Sequence, residues 1–415
     1  MIRSELACLS GKVPMKVVFV VESFAAADAG GGVRVSVRKQ VDFLSRRHSV
    51  VVIAPHMIFP PLRRYSSMRL SRETWSGFRS HEGNARVYRP LMCHLPVLGA
   101  VLEPVQLALW VLVVCAFLER RVSLIHGHRC YPAGFAAVLA APLLRLPVLL
   151  TVYGSDVNAG LHREAVGRWV SSATRYSLRR ASGVIAVSRA LADRALSAGV
   201  KADRISVVPS GVDLSEMGHM SKDAARAKLG LSTSSQMVLF AANLVPVKDP
   251  ITMLKAFALL RDQEKDLVLA VLGRGELEGS MSGECSSLGL SDSVMFLGRR
   301  PREEVPLWIA ASDVVALSST EEGCPVIALE AFASGRPFVG TAVGGLPEIV
   351  PENVGILVEA RNPAALAAAL GEALRRTWNE VALTAHGRTF SWESVASGVE
   401  AVYGAVVARV GTVVS

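Results

Sequence analysis

The chain has 415 residues, of which 51% are apolar, 20% charged and 6% aromatic. This composition excludes a disordered chain, a collagen-like repeat and a small disulfide scaffold, and the length allows two or three globular domains. The formal charge of +9 is unevenly held: residues 1–200 carry 26 Lys/Arg against 11 Asp/Glu, net +15, and residues 201–415 carry 19 against 25, net −6. Opposite fields on the two halves suggest two domains with different partners.

The opening through Pro14 reads as an extension, and MKVVFVV, residues 15–21, as a buried parallel strand. Gly30, Gly31 and Gly32 then precede a helix whose apolar face is Val33, Val37, Val41 and Leu44. A glycine turn between strand and helix can offer backbone N–H groups to an anion, although the G-x-G-x-x-G order of a dinucleotide fold is absent. After the strand VVVIA, Arg63, Arg64, Arg69, Arg72, Arg79, Arg86 and Arg89 interleave with Tyr65, Trp75, Phe78 and Tyr88. Two readings stay open for that segment: a solvated basic loop, or peripheral contact with an anionic membrane surface. No zinc-finger, RNA-recognition or helix-turn-helix signature points to nucleic acid.

The longest charge-free apolar run, VQLALWVLVVCAFL, has 14 residues, short of the roughly 20 that span a bilayer. With Pro104 before it and Glu119, Arg120 and Arg121 after it, it reads as a core or interfacial helix. Apolar runs follow at SLIHGH, LLTVYGSD, GVIAVS and ISVVPSGVD, with helical stretches between most of them. The pattern restarts at MVLFAANL, LVLAVLG, VMFLG, VVALSS, FVGTAV and GILV. This is a βαβ alternation repeated twice, hence two doubly wound parallel sheets. Ligands of such sheets bind beyond the carboxyl ends of the strands, which places the expected chemistry in a cleft between the domains. SWESVASGVEAVYGAVVARV closes the chain as a helix with Val395, Val399, Val402, Val406 and Val410 on one face.

The candidate residues stand at strand ends. His126 and His128 lie two apart, on one face of an extended segment; either a structural histidine or a substrate contact fits them, and zinc-ligand spacing is missing. Lys248 in FAANLVPVKDP could meet a diphosphate as a point charge. EEGCPVIALEA puts Glu322 in a loop and Glu330 two helical turns further on, where each carboxylate can reach a different part of an elongated ligand. Gly344 and Gly345 supply another glycine loop after a strand. The six scattered cysteines show no Cys-x-x-Cys spacing and follow no secretory leader, which implies a cytoplasmic, reducing compartment.

Together FAANLVPVKDP, the stretch from FLGRRPREEV through EEGCPVIALEAFASG to GGLPEIV, and NVGILVEARNP resemble the carboxyl-terminal half of family 4 retaining glycosyltransferases. VVPSGVD resembles the end of their amino-terminal domain, and IHGHRCYPAG with LLTVYGSDVNAG is similar to a branch acting in teichuronic acid and exopolysaccharide assembly. The resemblance implies a GT-B fold with two Rossmann-like domains and an interdomain cleft. It assigns residues 15–214 to the acceptor, 215–388 to a nucleotide-sugar, and 389–415 to a helix strapping the two domains. By position, Lys248 would bind the diphosphate, Glu330 the ribose, and Glu322 with the backbone of Gly323, Cys324 and Val326 the donor sugar and phosphates. Arg300 would lie beside the base, Gly31 and Gly32 near the phosphates, His128 at the sugar, and Asp156 on the substrate side. Asn243, with Ala242, stands where many relatives have a Gly-Arg pair before the lysine, and Arg274 is the candidate to replace the missing charge; Tyr153 and Ala133 differ from a common His and Asp.

The implied activity is that of a hexosyltransferase moving a sugar from a nucleoside diphosphate to a surface-polysaccharide or lipid-linked glycan acceptor, peripheral on the membrane, with no cofactor and no metal expected because the lysine and helix termini stabilise the departing diphosphate. Rival readings are a sugar-nucleotide epimerase of the same fold and a catalytically silent sugar-nucleotide-binding partner of a glycan assembly complex.

Overall fold

The computed structural model describes residues 14–24, 32–58, 77–95, 98–217, 220–264 and 266–414. They divide into two compact units, one made of the chain up to Pro209 with the residues from Val395 onward, the other of Ser210–Ser394.

The first unit holds an eight-stranded sheet. Its strands are β1 (Lys16–Val20), β2 (Ser49–Ile53), β4 (Arg79–Glu82), β5 (Ala85–Tyr88), β7 (Leu124–His128), β8 (Val148–Val152), β9 (Gly183–Ala186) and β10 (Ile205–Val207), while β3 (His56–Ile58) and β6 (Leu91–Cys93) form a separate parallel pair. The order is β10-β9-β8-β7-β1-β2-β5-β4, parallel throughout except for the antiparallel β4–β5 hairpin. The central strands β1, β2 and β8 are rich in Val, Ile and Leu, β7 is LIHGH, and almost every residue of the four is buried, as sheets covered by helices on both faces require. Gly83 turns the hairpin at φ 56, a left-handed conformation that suits glycine.

The second unit holds a six-stranded, all-parallel sheet. Its strands are β11 (Gln236–Ala241), β12 (Leu267–Leu272), β13 (Val294–Gly298), β14 (Val314–Ala316), β15 (Phe338–Thr341) and β16 (Gly355–Val358), in the order β13-β12-β11-β14-β15-β16. Each sheet therefore has one place where successive crossovers reverse direction: β1/β7 in the first unit and β11/β14 in the second. Loops leaving neighbouring strand ends diverge there and open a crevice.

The helix around the apolar run is longer than Pro104 suggests. It starts at Gly99, runs through Pro104 and continues as a π-helix from Val114 to Leu118, 20 residues in all. Proline has no N–H to give the carbonyl four residues back. That carbonyl, Ala100 O, instead accepts the Trp169 indole N–H at 3.0 Å. By length and apolarity this helix could cross a bilayer. Its end is tied down by Glu119, which is buried and takes Lys16 Nζ and Arg86 Nη2 at 3.1 Å and the Tyr88 hydroxyl at 3.0 Å.

Of the basic segment, Arg63, Arg64, Arg69 and Arg72, with Tyr65 and Trp75, lie outside the described residues. Arg86 pairs with Glu119 and Arg89 with Glu82, so that part of the hairpin's charge is spent internally. The last helix, Trp392–Val414, buries Val395, Val399, Tyr403 and Val406, and its Glu400 pairs with Arg47 at 2.9 Å.

Candidate active site

In the second unit the β11/β14 crevice carries an ion pair. The β11 loop ends in a short 3-10 turn, Pro246–Lys248, and the β14 loop crosses it, with Thr320 N–H bonding Val247 O at 2.8 Å and the Ser318 hydroxyl bonding Asp249 O at 2.7 Å. This brings Lys248 Nζ to 2.5 Å from Glu322 Oε1, which also accepts the Ser319 hydroxyl at 2.6 Å. Glu322 is almost fully buried, whereas Lys248 keeps about a quarter of its side chain open. Gly344, at φ 55, lies so close that an added Cβ would sit 1.8 Å from Glu322 O. The second glycine loop thus braces the Glu322 loop. Gly273, at φ 147, is pressed onto Ala242 O in the same way, fixing the loop that bears Asn243 and Arg274, both exposed.

Gly323 and Cys324 are buried as the loop enters the helix Val326–Ala333, whose first turn has no side-chain cap. Its first-turn N–H groups are therefore left without a capping side chain, at the positive end of the helix. Burial raises the Cys324 thiol to about 11, so it stays protonated. On the same helix Glu330, 2% exposed, is held by Arg302, which also reaches Glu216 at 3.5 Å. Burial alone would lower the Arg302 guanidinium, but Glu330 and then Glu216 outweigh it and raise it. Arg300, two residues earlier, is exposed and pairs with Glu304 at 3.8 Å; Arg302 is the arginine that meets Glu330.

In the first unit the β1/β7 crevice holds a second pair, Glu22 with Arg129 at 3.0 Å. Gly32 caps the helix Val33–Leu44 at φ 59 with no side chain on its first-turn N–H groups, and Gly31 lies outside the described residues. His126 is fully buried and doubly satisfied, by the Tyr403 hydroxyl at 2.8 Å and the Thr151 hydroxyl at 2.7 Å, which makes it structural. His128 is stacked on Phe19, and its Nδ1 lies 2.8 Å from the Tyr153 hydroxyl, while its buried Nε2 has no partner among the described residues. Asp156 is buried and accepts backbone N–H groups of Tyr153 at 3.0 Å, Gly154 at 2.9 Å and Cys130 at 3.3 Å. Its carboxylate shapes the loops around His128.

Two family descriptions match this arrangement: Glycosyltransferase Family 4 over residues 30–216 and Glycosyl transferases group 1 over residues 221–388. A D-inositol 3-phosphate glycosyltransferase of Corynebacterium glutamicum (strain R) is 30% identical over 328 residues, covering 74% of this chain and 78% of that protein. The chain belongs to glycosyltransferase family 4. A D-inositol 3-phosphate glycosyltransferase of Salinispora arenicola (strain CNS-205) is 35% identical, with 50% of this chain and 51% of that protein aligned. Among solved structures, sucrose-phosphate synthase from Thermosynechococcus elongatus superposes with a TM-score of 0.74 at 20% identity over 97% of this chain and all of that one. Anabaena Alr3699/HepE, solved in complex with UDP and glucose, gives 0.72 at 20% identity over 93% and 98%. The fold is GT-B, two Rossmann-like α/β units.

In this glycosyltransferase three residues that the sequence did not single out stand at strand or loop ends beside the expected ones: Glu22, Arg129 and Arg302. Glu22 follows β1 and Arg129 follows β7 directly, so position beyond a parallel strand was their available signal.

Two expectations arise from these contacts. Gly344→Ala should destabilise the transferase by about 2 kcal/mol or more, because a left-handed backbone angle and a backbone collision coincide; an unchanged urea midpoint would show that the loop is free to shift. The second concerns pH. Burial lowers His128 to about 3 and His126 well below its ordinary value, with His128 adding to the effect on His126. The unfolded chain takes up protons as pH falls through about 6.5 while the folded one does not. Stability is therefore fully present above that value and falls by roughly 1.4 kcal/mol per pH unit per histidine below it. His128→Gln should make the decline between pH 6.5 and 5 shallower; an identical slope would mean that His128 takes up its proton in the folded protein as it does in the unfolded chain.

Proposed function

We propose that this family 4 enzyme transfers a hexose-type sugar, with retention of anomeric configuration, from a nucleoside diphosphate to a surface-polysaccharide or lipid-linked acceptor. The observation that carries the reading is the Lys248–Glu322 pair at the β11/β14 crevice, beside an uncapped helix N-terminus and with Glu330 on that same helix. Lys248 and the first-turn N–H groups of Val326–Ala333 offer positive charge to a diphosphate, and they stabilise it most as it departs and gains charge. Glu330 can accept both hydroxyls of a ribose, and Glu322 can accept from sugar hydroxyls while Ser319 holds its orientation. His128, kept neutral by burial, offers Nε2 to a sugar hydroxyl and does not act as a charged acid.

Retention then proceeds on one face of the sugar: the bond to the leaving phosphate breaks, the acceptor oxygen bonds the anomeric carbon, and its proton goes to the departing diphosphate. The excess positive charge of residues 1–200 favours an anionic acceptor. Relatives named for inositol 3-phosphate make a phosphorylated polyol one member of the acceptor screen. The test incubates the enzyme with a panel of uridine and guanosine diphosphate hexoses, with and without lipid-linked glycan, glycan fragments and phosphorylated polyols, and follows the anomeric protons by NMR. An α-linked product from an α-linked donor supports the reading. Inversion, donor epimerisation without acceptor, or no turnover with any donor would replace it.

A further inference from the structure

We propose that the helix Gly99–Leu118 is a docking element that lies in the plane of an anionic lipid bilayer. Val101, Val105, Leu109, Val113 and Phe117 recur every fourth residue and are all solvent-exposed, up to 57% at Leu109 and 78% at Phe117. Each step of four residues turns only about 40° further round the helix, so the five form a winding stripe along a helix about 30 Å long. A soluble surface seldom leaves so continuous an apolar stripe uncovered. The opposite side is occupied: Leu107, Ala108, Val111 and Val114 are buried, and the helix packs on Phe135–Leu144.

This two-sidedness decides the orientation. A helix crossing the bilayer would have to free its packed side and pull Glu103 away from His94, with which it pairs, whereas a helix lying in the interface buries only the stripe and keeps every internal contact.

Charge selects the occupant. Arg120 and Arg121 are exposed just beyond the end of the helix, and the neighbouring helix Arg163–Arg180, joined to it by the Trp169–Ala100 bond, exposes Arg168 and Arg175 together with Trp169 and Tyr176. Arginines beside indole and phenol rings suit the headgroup layer, where the cations meet anionic lipids and the amphipathic rings sit at the boundary. A second copy of the chain would bring one strongly basic unit against another, which like-charge repulsion disfavours. The sequence left the arginine-rich segment open between a solvated loop and a membrane contact and marked this apolar run as a core or interfacial helix; the exposed stripe favours residues 99–118 as the contact.

The test is sedimentation of the full chain with vesicles of phosphatidylglycerol and phosphatidylcholine, or phosphatidylcholine alone, at low and high salt. The wild type should bind the anionic vesicles and be partly released by salt. L109E/F117E, which alters only exposed positions, should lower the partition coefficient at least tenfold at unchanged Tm and circular dichroism. R120Q/R121Q/R168Q/R175Q should weaken binding and flatten its salt dependence. Wild-type protein that stays in the supernatant, or undiminished binding by L109E/F117E, overturns the proposal. So does a wild-type dimer in analytical ultracentrifugation that L109E/F117E disperses, which would assign the stripe to a second copy. None of these readouts uses donor turnover, so they stand apart from the proposed reaction.

Discussion

Lys248→Ala is expected to lower kcat/KM for the nucleotide-sugar donor by about 10²–10³-fold, the larger part in donor affinity. On the proposed reading, removing the ammonium deletes a charge-assisted contact to the diphosphate worth about 1.5–3 kcal/mol. It also leaves Glu322, 6% exposed, with the Ser319 hydroxyl as its side-chain partner among the described residues. A buried carboxylate without its cation repels the incoming diphosphate, so the two effects act in the same direction and together reach roughly 3–4 kcal/mol. The double variant Lys248→Ala/Glu322→Gln removes the repulsion and not the missing cation; it should recover stability and a small part of the nucleotide affinity, with turnover still low. Isothermal titration with nucleoside diphosphate separates the contributions. Wild-type affinity in Lys248→Ala would place the diphosphate elsewhere, with Arg274 the next candidate.

The second large effect is at Glu330. Its partner Arg302 is 18% exposed and, among the described residues, would retain the 3.5 Å contact with Glu216. Glu330→Ala should therefore cost about 3–5 kcal/mol of stability, as breaking one half of a buried ion pair does. Ribose binding is expected to fall about tenfold to a hundredfold in addition. Because a destabilised variant also loses affinity indirectly, the decisive comparison is Arg302→Met/Glu330→Leu. Replacing both charges by apolar groups of similar bulk is often neutral for folding, so this protein should melt near the wild-type temperature and still bind nucleotide poorly. Undiminished binding in the stable double variant would make the Arg302–Glu330 pair a purely structural one.

Both variants act on contacts between residues far apart in the chain, which marks where the sequence could be read and where it could not. Strands such as β1, β2 and β8 are almost wholly buried and rich in branched aliphatics, and this local hydropathy marks them without reference to anything else. The turn residues after them are local too, and so was the spacing of Glu322 and Glu330 on a loop and its helix. The β4–β5 hairpin is not legible in the sequence although Gly83 and Asn84 are its turn, because β4 carries Arg, Ser, His and Glu in place of an apolar alternation.

What each charge faces was decided by strand order. Lys248 and Glu322 are 74 residues apart, Arg129 and Glu22 107, and they meet because β11 lies beside β14 and β1 beside β7. No local periodicity encodes which strands become neighbours. The same holds for the neutral state of His128, which follows from burial beneath Phe19 and Tyr153, and for the passage of a helix through Pro104, which needs an indole N–H from residue 169 to take the abandoned carbonyl. The sequence by itself determined two parallel-sheet units with glycine and charged residues at their strand ends, because buried strands and glycine turns are local necessities of backbone hydrogen bonding and hydrophobic burial. Only the tertiary structure decided the ion pairs, the buried neutral histidines and the apolar stripe left open to solvent, because charge pairing, desolvation and exposure depend on what the rest of the chain places next to each group.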